Sequence, residues 1–568
     1  MENQTKLNNK DTKQTAALDT FKELYQAADL YHSHELEKME RNMRQYLGSP
    51  EIDGSSEPAA TVRNITFEIV ESEISANIPI PRVEAFSYSE KHDKCSKAIE
   101  RLCLAIRNKL PFEAMNDKDE RYTYIMGGSV WYVEWDSNIS EGGNVRVHSL
   151  SPEVFIPQPG VTEISDMEYC FLRFTTTKAE LMRRYNVKRE DLSLADCEYE
   201  YDTDASLTDT VRMIVAFYRG DNGEIGKFVF SGDLVLEDSP SYYMRKGEIC
   251  PICGAPGAQC DCGKGTVFGN IRTEKVCEGN ESFMLSYYTP RDFPIVIRKN
   301  TLDPTALFGS SDCERIRPQQ QAINKVESRI LAKLLRAGIT PVMPEDASVS
   351  ITNAVFDRVI KLRPGETADS YGKIDTTPDV MQDIAEADRL YDQAKRIIGI
   401  SDALQGTDTT NAESGFARQL KISQASSRLE SKKRLKNLCY SELYRLIFLH
   451  YLAFADEDRP LRYRDASGRL HRSSFRRHDF IERNADGSYF YCDDYVFSVD
   501  LSAEGEYQRE TIWQRNLADL EAGTLGDKSC AATLLRYWQA QARAHYPYAG
   551  ENVEYFKEII KNQEKESE

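Results

Sequence analysis

The residues with the clearest chemistry are Cys250-Pro-Ile-Cys253, followed by Cys260-Asp-Cys262. A Cys-x-x-Cys turn points two thiolates at one tetrahedral ion, and the two later cysteines are near enough to complete a four-sulfur structural zinc site. Gly254, Gly257, Gly263 and Gly265 give the backbone the freedom that such a knuckle needs. The spacing therefore predicts Zn2+ on Cys250, Cys253, Cys260 and Cys262 in a zinc-ribbon-like insertion over 240–283. The second half is Cys-x-Cys rather than Cys-x-x-Cys, which keeps Cys277 as an alternative to one of the four. The plainer reading of the same residues is free, reduced thiols. A redox role is disfavoured because no helix signal begins at Cys250. The chain has 13 cysteines, mostly scattered, which points to reduced thiols rather than a disulfide framework.

Other chemistry-bearing residues give less. The eight histidines form no His-Glu-x-x-His or His-x-His group, and Asp493-Asp494 has no metal-dependent nuclease pattern beside it. No Gly-x-x-x-x-Gly-Lys-Ser/Thr loop is present, so ATP hydrolysis is not expected, and the chain reads as a non-enzyme. A basic run, Arg418, Lys421, Arg428, Lys432, Lys433, Arg434 and Lys436, stands against only Glu413 and Glu430. Such a face suits DNA phosphates or an acidic neighbouring subunit, and its plainer reading is a solvated face.

These residues hang on a chain organised around Gly309 to Ala453. A first helix, 311–339, opens on the capping box Ser311-Asp-Cys-Glu314. Pro318 predicts a kink or restart one turn in. Ile323, Val326, Ile330 and Leu334 then recur on one face, until Ile339-Thr-Pro341 stops the helix. Between 340 and 377 Val349-Ser-Ile-Thr alternates and Arg363-Pro-Gly-Glu366 turns, which predicts a small two- or three-strand unit. Thr377-Pro378 is expected to start a second helix, 378–399, with Val380, Ile384, Ala387, Leu390, Ala394 and Ile397 as its apolar stripe and Gly399 as its end. The loop 400–415 carries Gln405, Thr407, Asp408, Thr409, Thr410 and Asn411, side chains that bond nearby backbone or a polar partner rather than fill a core. Thr410-Asn-Ala-Glu413 is a second capping box, and it opens a long helix over 416–455.

The flanks are expected to be mixed. Residues 1–17 are polar and read as disordered, and a helix follows from Phe21 toward Tyr46. Further helices are predicted at Val62 to Ile78 and Lys91 to Leu110. Strands are predicted at Gly127 to Trp135, from Val145, at Val211 to Tyr218 and at Lys227 to Phe230. Strand signals return over 456–505, at Leu461 to Arg464, Tyr489 to Tyr491 and Val496 to Val499, and 506–568 is helical again, with a charged, frayed end. At 568 residues this predicts an α+β chain of two or more compact units, some discontinuous.

The order of these parts resembles the portal proteins of tailed bacteriophages. The residues that carry the likeness are Phe293-Pro-Ile-Val-Ile-Arg-Lys-Asn300, Gly309-Ser-Ser-Asp312, Gln321-Ala-Ile-Asn324 with Ser328, and Gly399-Ile-Ser-Asp402 with Glu413-Ser-Gly415. They cover the middle half of the chain. The resemblance implies a wing over 18–310, with the cysteine insertion as a departure from the family pattern. It implies a stem of two helices around a clip at 340–377, a tunnel loop at 400–415 that meets DNA, a long wing helix, a wing β return at 456–505, and a crown over 506–568. It also implies a homo-oligomeric ring, usually of twelve copies, at the capsid portal vertex. The partners would be the terminase large subunit, a head-to-tail connector or adaptor, the major capsid and scaffold proteins, and double-stranded DNA. The formal charge of −19 opposes wholesale wrapping of nucleic acid and suits an acidic channel wall. No run of about 18 apolar residues and no secretory signal is present, so the expected setting is the host cytoplasm and then the virion, with no membrane partner. A zinc-ribbon nucleic-acid processing enzyme and a helical scaffold that never touches DNA are the rival readings.

Overall fold

The computed structural model describes residues 2–49, 63–86, 89–137, 139, 142–199, 209–252, 255–257, 265–278, 281–336, 339–342, 351–353, 358–360, 372–375, 379–400, 415–464, 470–484, 486–500, 506–543, 546 and 549–567. The fold is mixed α and β. In chain order it begins with α1 (Glu2–Tyr46), α2 (Ile65–Glu73), β1 (Ile80–Ala85), α3 (Glu90–Lys109) and α4 (Phe112–Met126). Next come β2 (Gly128–Asp136), β3 (Asn144–Leu150), β4 (Phe155–Pro157), β5 (Tyr169–Thr177), α5 (Lys178–Tyr185), β6 (Cys197–Tyr199), β7 (Thr210–Arg219), β8 (Ile225–Ser231) and β9 (Leu234–Ser239). Two hairpins follow, β10 (Lys246–Ile249) with β11 (Val267–Asn270) and β12 (Thr273–Glu278) with β13 (Glu281–Ser286), and then β14 (Ile295–Lys299). The middle holds α6 (Asp312–Arg336), β15 (Ile339–Val342), β16 (Ile351–Asn353), β17 (Arg358–Ile360), β18 (Gly372–Asp375), α7 (Met381–Ile398) and α8 (Gly415–Phe454). The chain closes with β19 (Arg459–Arg464), β20 (Leu470–Phe475), β21 (Ile481–Arg483), β22 (Tyr489–Tyr491), β23 (Tyr495–Asp500), α9 (Glu506–Glu521), α10 (Ala531–Arg543) and α11 (Ala549–Ser567).

Residues 1–40, 74–311 and 430–568 form one compact unit, and 41–73 with 312–429 form a second. In the first, β4, β5, β7, β8 and β9 lie side by side in that order, with β6 added beside β7. Alternation along the strands sends Cys170, Leu172, Val215, Phe217 and Val229 to one face and Phe171, Ile214, Ala216, Phe228 and Phe230 to the other. The second face is covered by Leu18, Phe21, Tyr25 and Ala28 of α1. Burial on both faces explains why β7 and β8 read as nearly unbroken apolar runs. A separate core forms where the three-stranded sheet β14-β2-β3, α3 and the second half of α8 meet, with Trp131, Leu102, Tyr440, Tyr444 and Phe448 all closed to solvent.

Two glycines set the close approach of chain segments in this unit. Gly127 ends α4 with φ 89°, and a Cβ there would lie 2.2 Å from the Gly309 carbonyl oxygen. The Asn300 backbone N–H donates to Gly127 O (3.0 Å) and its side-chain amide to Ser310 O (2.9 Å), so the segment 293–300 and Gly309 are held together.

In the second unit α6 and α7 pack antiparallel. Val326 and Ile330 meet Ala387, while Ile316 and Ile323 join Ala394, Ile398, Ile65 and Ile69. Asp383, at the start of α7, takes Lys333 Nζ and, at 2.8 Å, Arg329 Nη2 from the end of α6. Beyond that end β15 pairs with β18 and β16 with β17, each antiparallel, so a small strand unit does join the two helices.

Several expectations need correction. The first 17 residues are not set apart as disordered: α1 starts at Glu2, and the stretch has no Gly or Pro to interrupt a helix once nucleated. The helix expected from Val62 to Ile78 is only Ile65–Glu73. Pro318 does not restart the first central helix, because a proline removes a single i→i−4 bond and α6 continues through it. The expected start of the second central helix, Thr377-Pro378, lies outside the described residues, and the described helix begins later. It starts at Met381, whose N–H donates to Asp379 Oδ1 at 3.0 Å. Gly399 ends it as expected, with φ 97°.

Candidate functional site

The ladder β10–β11 runs from Lys246↔Asn270 to Ile249↔Val267 and so closes a loop, 250–266, that contains all four predicted zinc ligands. Cys250 is the first residue past β10 and is buried. Its N–H donates to Ala255 O at 2.9 Å, Ile249 bridges to Pro256, and the Ile252 N–H points at Cys250 Sγ from 3.4 Å. Cys250 is thus a buried sulfur that accepts from a backbone N–H, a contact open to a plain thiol and to a metal-bound thiolate alike. Cys253, Cys260 and Cys262 lie outside the described residues. Cys277 is on β12, opposite Ser282, and its side chain also lies outside them.

The polar loop residues Gln405, Thr407, Asp408, Thr409, Thr410 and Asn411 lie outside the described residues, as do the side chains of Arg418, Lys421 and Arg428. The rest of the basic run does not act as one face. Lys433 is exposed, Arg434 is exposed and pairs with Glu430 (3.2 Å), and Lys432 Nζ sits 5.0 Å from the centre of the Tyr124 ring. Lys436 is buried, donates to Asn77 O (2.6 Å), and cannot meet a DNA phosphate. It belongs to an interior cluster with Asp119 and Glu120 of α4 and Arg298 of β14.

Of the residues expected to pack the helix pair, Ile323, Val326 and Ile330 are buried, and Val380 and Leu390 are half-buried. Leu334, Ile384 and Ile397 are exposed instead, at 51%, 42% and 44%. The reason is that a pair of helices has only a narrow seam, and here Ala387, Ala394 and Ile398 fill it on the α7 side. Leu331, Leu334, Met381 and Ile384 are therefore left uncovered near the strand-unit end of the pair.

A group that the sequence did not suggest lies in the first unit. His92 of α3, Glu482 of β21 and Cys492 just past β22 place one donor atom each within 4.8 Å of one another. No spacing signal exists for it, because His92 stands far along the chain from the other two. Compared with models of known protein families and with curated proteins, this sequence matches none. No helix among the described residues is long and apolar enough to cross a membrane.

Proposed function

We propose that this chain is a portal-ring subunit: a non-enzymatic component of the capsid portal vertex through which double-stranded DNA is packaged and later ejected. The observation that carries the reading is the second unit, an antiparallel pair α6 and α7 joined through a small strand unit and followed in sequence by the 40-residue helix α8. That is the stem, clip and long wing helix order that the resemblance implies. The uncovered Leu331, Leu334, Met381 and Ile384 support it, because a ring needs one apolar patch per copy to meet a different patch on the next. A ring of about twelve copies is the family expectation. The terminase large subunit, a connector protein, and the capsid and scaffold proteins would dock on its outer surfaces. The structural zinc of the cysteine hairpin would hold an insertion outside the stem.

Negative-stain imaging of the purified full-length chain tests this. Rings with a central channel are expected; monomers, or open filaments, overturn it.

A further inference from the structure

We infer that His92, Glu482 and Cys492 form a second metal site, separate from the cysteine hairpin, suited to Zn2+ or another borderline divalent transition ion. Three donors come from two rigid pieces of the first unit. α3 supplies His92 in its first turn, which is fixed by Ser89 accepting from the Lys91 N–H. The β21–β22 hairpin supplies the other two. Glu482 pairs with Phe490, and the ladder continues as the Cys492 N–H donates to Phe480 O at 2.8 Å. Glu482 and Cys492 are thus diagonal neighbours on one face, within reach of one ion.

The donor set is a mixed nitrogen, oxygen and sulfur one, which zinc accepts at bond lengths of about 2.0–2.3 Å; donor atoms around a tetrahedral ion are then roughly 3.3–3.8 Å apart. The present 4.8 Å bound requires only a small contraction. His92 Nε2 and Glu482 Oε1 are already in contact. His92 Nδ1 is buried with no hydrogen-bond partner among the described residues, so the ring proton can move there and free Nε2 for the ion. Binding releases one proton: the Cys492 S–H bond breaks, a metal–sulfur bond forms, and the proton leaves to solvent. A carboxylate and a thiolate then balance the two charges of the ion. The nearby Lys91 ammonium is engaged with the Ile481 carbonyl at 2.6 Å rather than with Glu482. Cys492 is buried, while the His92 and Glu482 side chains keep 18% and 26% of their surface, which leaves the fourth position open to water. The ion would pin the β21–β22 hairpin to α3, two segments from opposite ends of the chain.

The test uses full-length protein stripped of metal and titrated with Co2+, whose thiolate charge-transfer absorption reports sulfur ligation. In a chain carrying Cys250→Ser and Cys253→Ser, which disables the hairpin site, about one Co2+ per chain with that absorption is expected. Adding Cys492→Ser should abolish the absorption, and adding His92→Gln should weaken binding at least about tenfold. Thermal melts of the metal-free variants check that each is folded. Should Cys492→Ser fail to fold, His92→Gln and Glu482→Gln carry the same comparison. No Co2+ bound by the hairpin-disabled chain, or the same absorption after Cys492→Ser or the same affinity after His92→Gln, overturns the site. Failure of the four-cysteine reading shows differently, as the same single ion in the unmodified chain and in the hairpin-disabled one.

Discussion

Lys436 Nζ lies 2.9 Å from Glu120 Oε1 in the interior of the first unit, with both side chains closed to solvent. Burial pushes the Lys436 ammonium toward losing its proton, and Glu120 opposes that. Burial likewise raises the Glu120 carboxyl, but Arg298 and Lys436 together hold it below the usual range. Each charge is therefore tolerated because of the others. Replacing Lys436 with Met is expected to cost about 3 kcal/mol, since it removes one of the two cations that hold a buried carboxylate. Arg434→Ala, on the exposed side of the same helix, should stay within about 0.5 kcal/mol. Chemical denaturation of the two variants measures the contrast; equal losses would refute it.

His450 gives the fold a pH dependence. Its Nδ1 donates to Leu446 O at 2.8 Å, and complete burial pushes the ring down to about 4 from the ordinary 6.5. The folded pKa is depressed, so the stabilisation is fully present above the unfolded value and is lost as pH falls through the folded one. The loss between pH 6.5 and 4 amounts to roughly 3 kcal/mol for this group. His450→Gln should flatten that part of the stability profile relative to the unmodified chain, measured by denaturation at several pH values.

On the portal-ring reading, the uncovered end of the helix pair would separate assembly from folding. Ile384→Ser should leave the melting temperature of the chain nearly unchanged, because Ile384 is already exposed, yet reduce rings to monomers in size-exclusion chromatography. Ile330→Asp should instead damage the chain itself by several kcal/mol, because that side chain is buried against Ala387. Intact rings with Ile384→Ser would mean that the patch is not a subunit contact.

Shortening the polar loop by deleting Thr407 to Thr410 should leave rings intact and reduce the length or retention of packaged DNA. On the portal reading, the Thr and Asn side chains would offer short-lived bonds to phosphate and Asp408 would repel it, a mixture suited to sliding. An in vitro packaging reaction read by nuclease-protected DNA measures this, and normal packaging by the deleted rings would remove the loop from any contact with DNA.

The strands β7 and β8 were legible because burial on both faces leaves an apolar run, and α6 and α7 because their spacing repeats. α4 went unread for the opposite reason. Its segment Asp117-Lys-Asp-Glu-Arg121 looks like a solvated face, and the partners that explain why Asp119 and Glu120 lie inside, Arg298 and Lys436 with Ser129, Trp131 and the Ser75 N–H, come from other elements. The same limit hid the grouping of His92, Glu482 and Cys492, which meet only in the fold. On α7 the expected stripe held both kinds of residue: Ala387 and Ala394, which allow close approach, are buried, whereas the bulkier Ile384 and Ile397 are exposed. Of the four cysteines of the sequence motif, Cys250 alone lies among the described residues, just past the ladder β10–β11.

The ladder between β1 and β23 pairs Ile80 with Asp500 and Ala85 with Tyr495. During synthesis, β1 therefore leaves the ribosome long before its partner exists. At about 5–20 residues per second the wait is on the order of half a minute, during which an unpaired strand edge and the apolar side of α3 are open to other nascent chains. Completion of the first unit is thus a late event, tied to the synthesis of the chain as far as Asp500. A ribosome that stops before Tyr495 would release a chain with β1 still unpaired, material for aggregation or for a chaperone rather than for assembly.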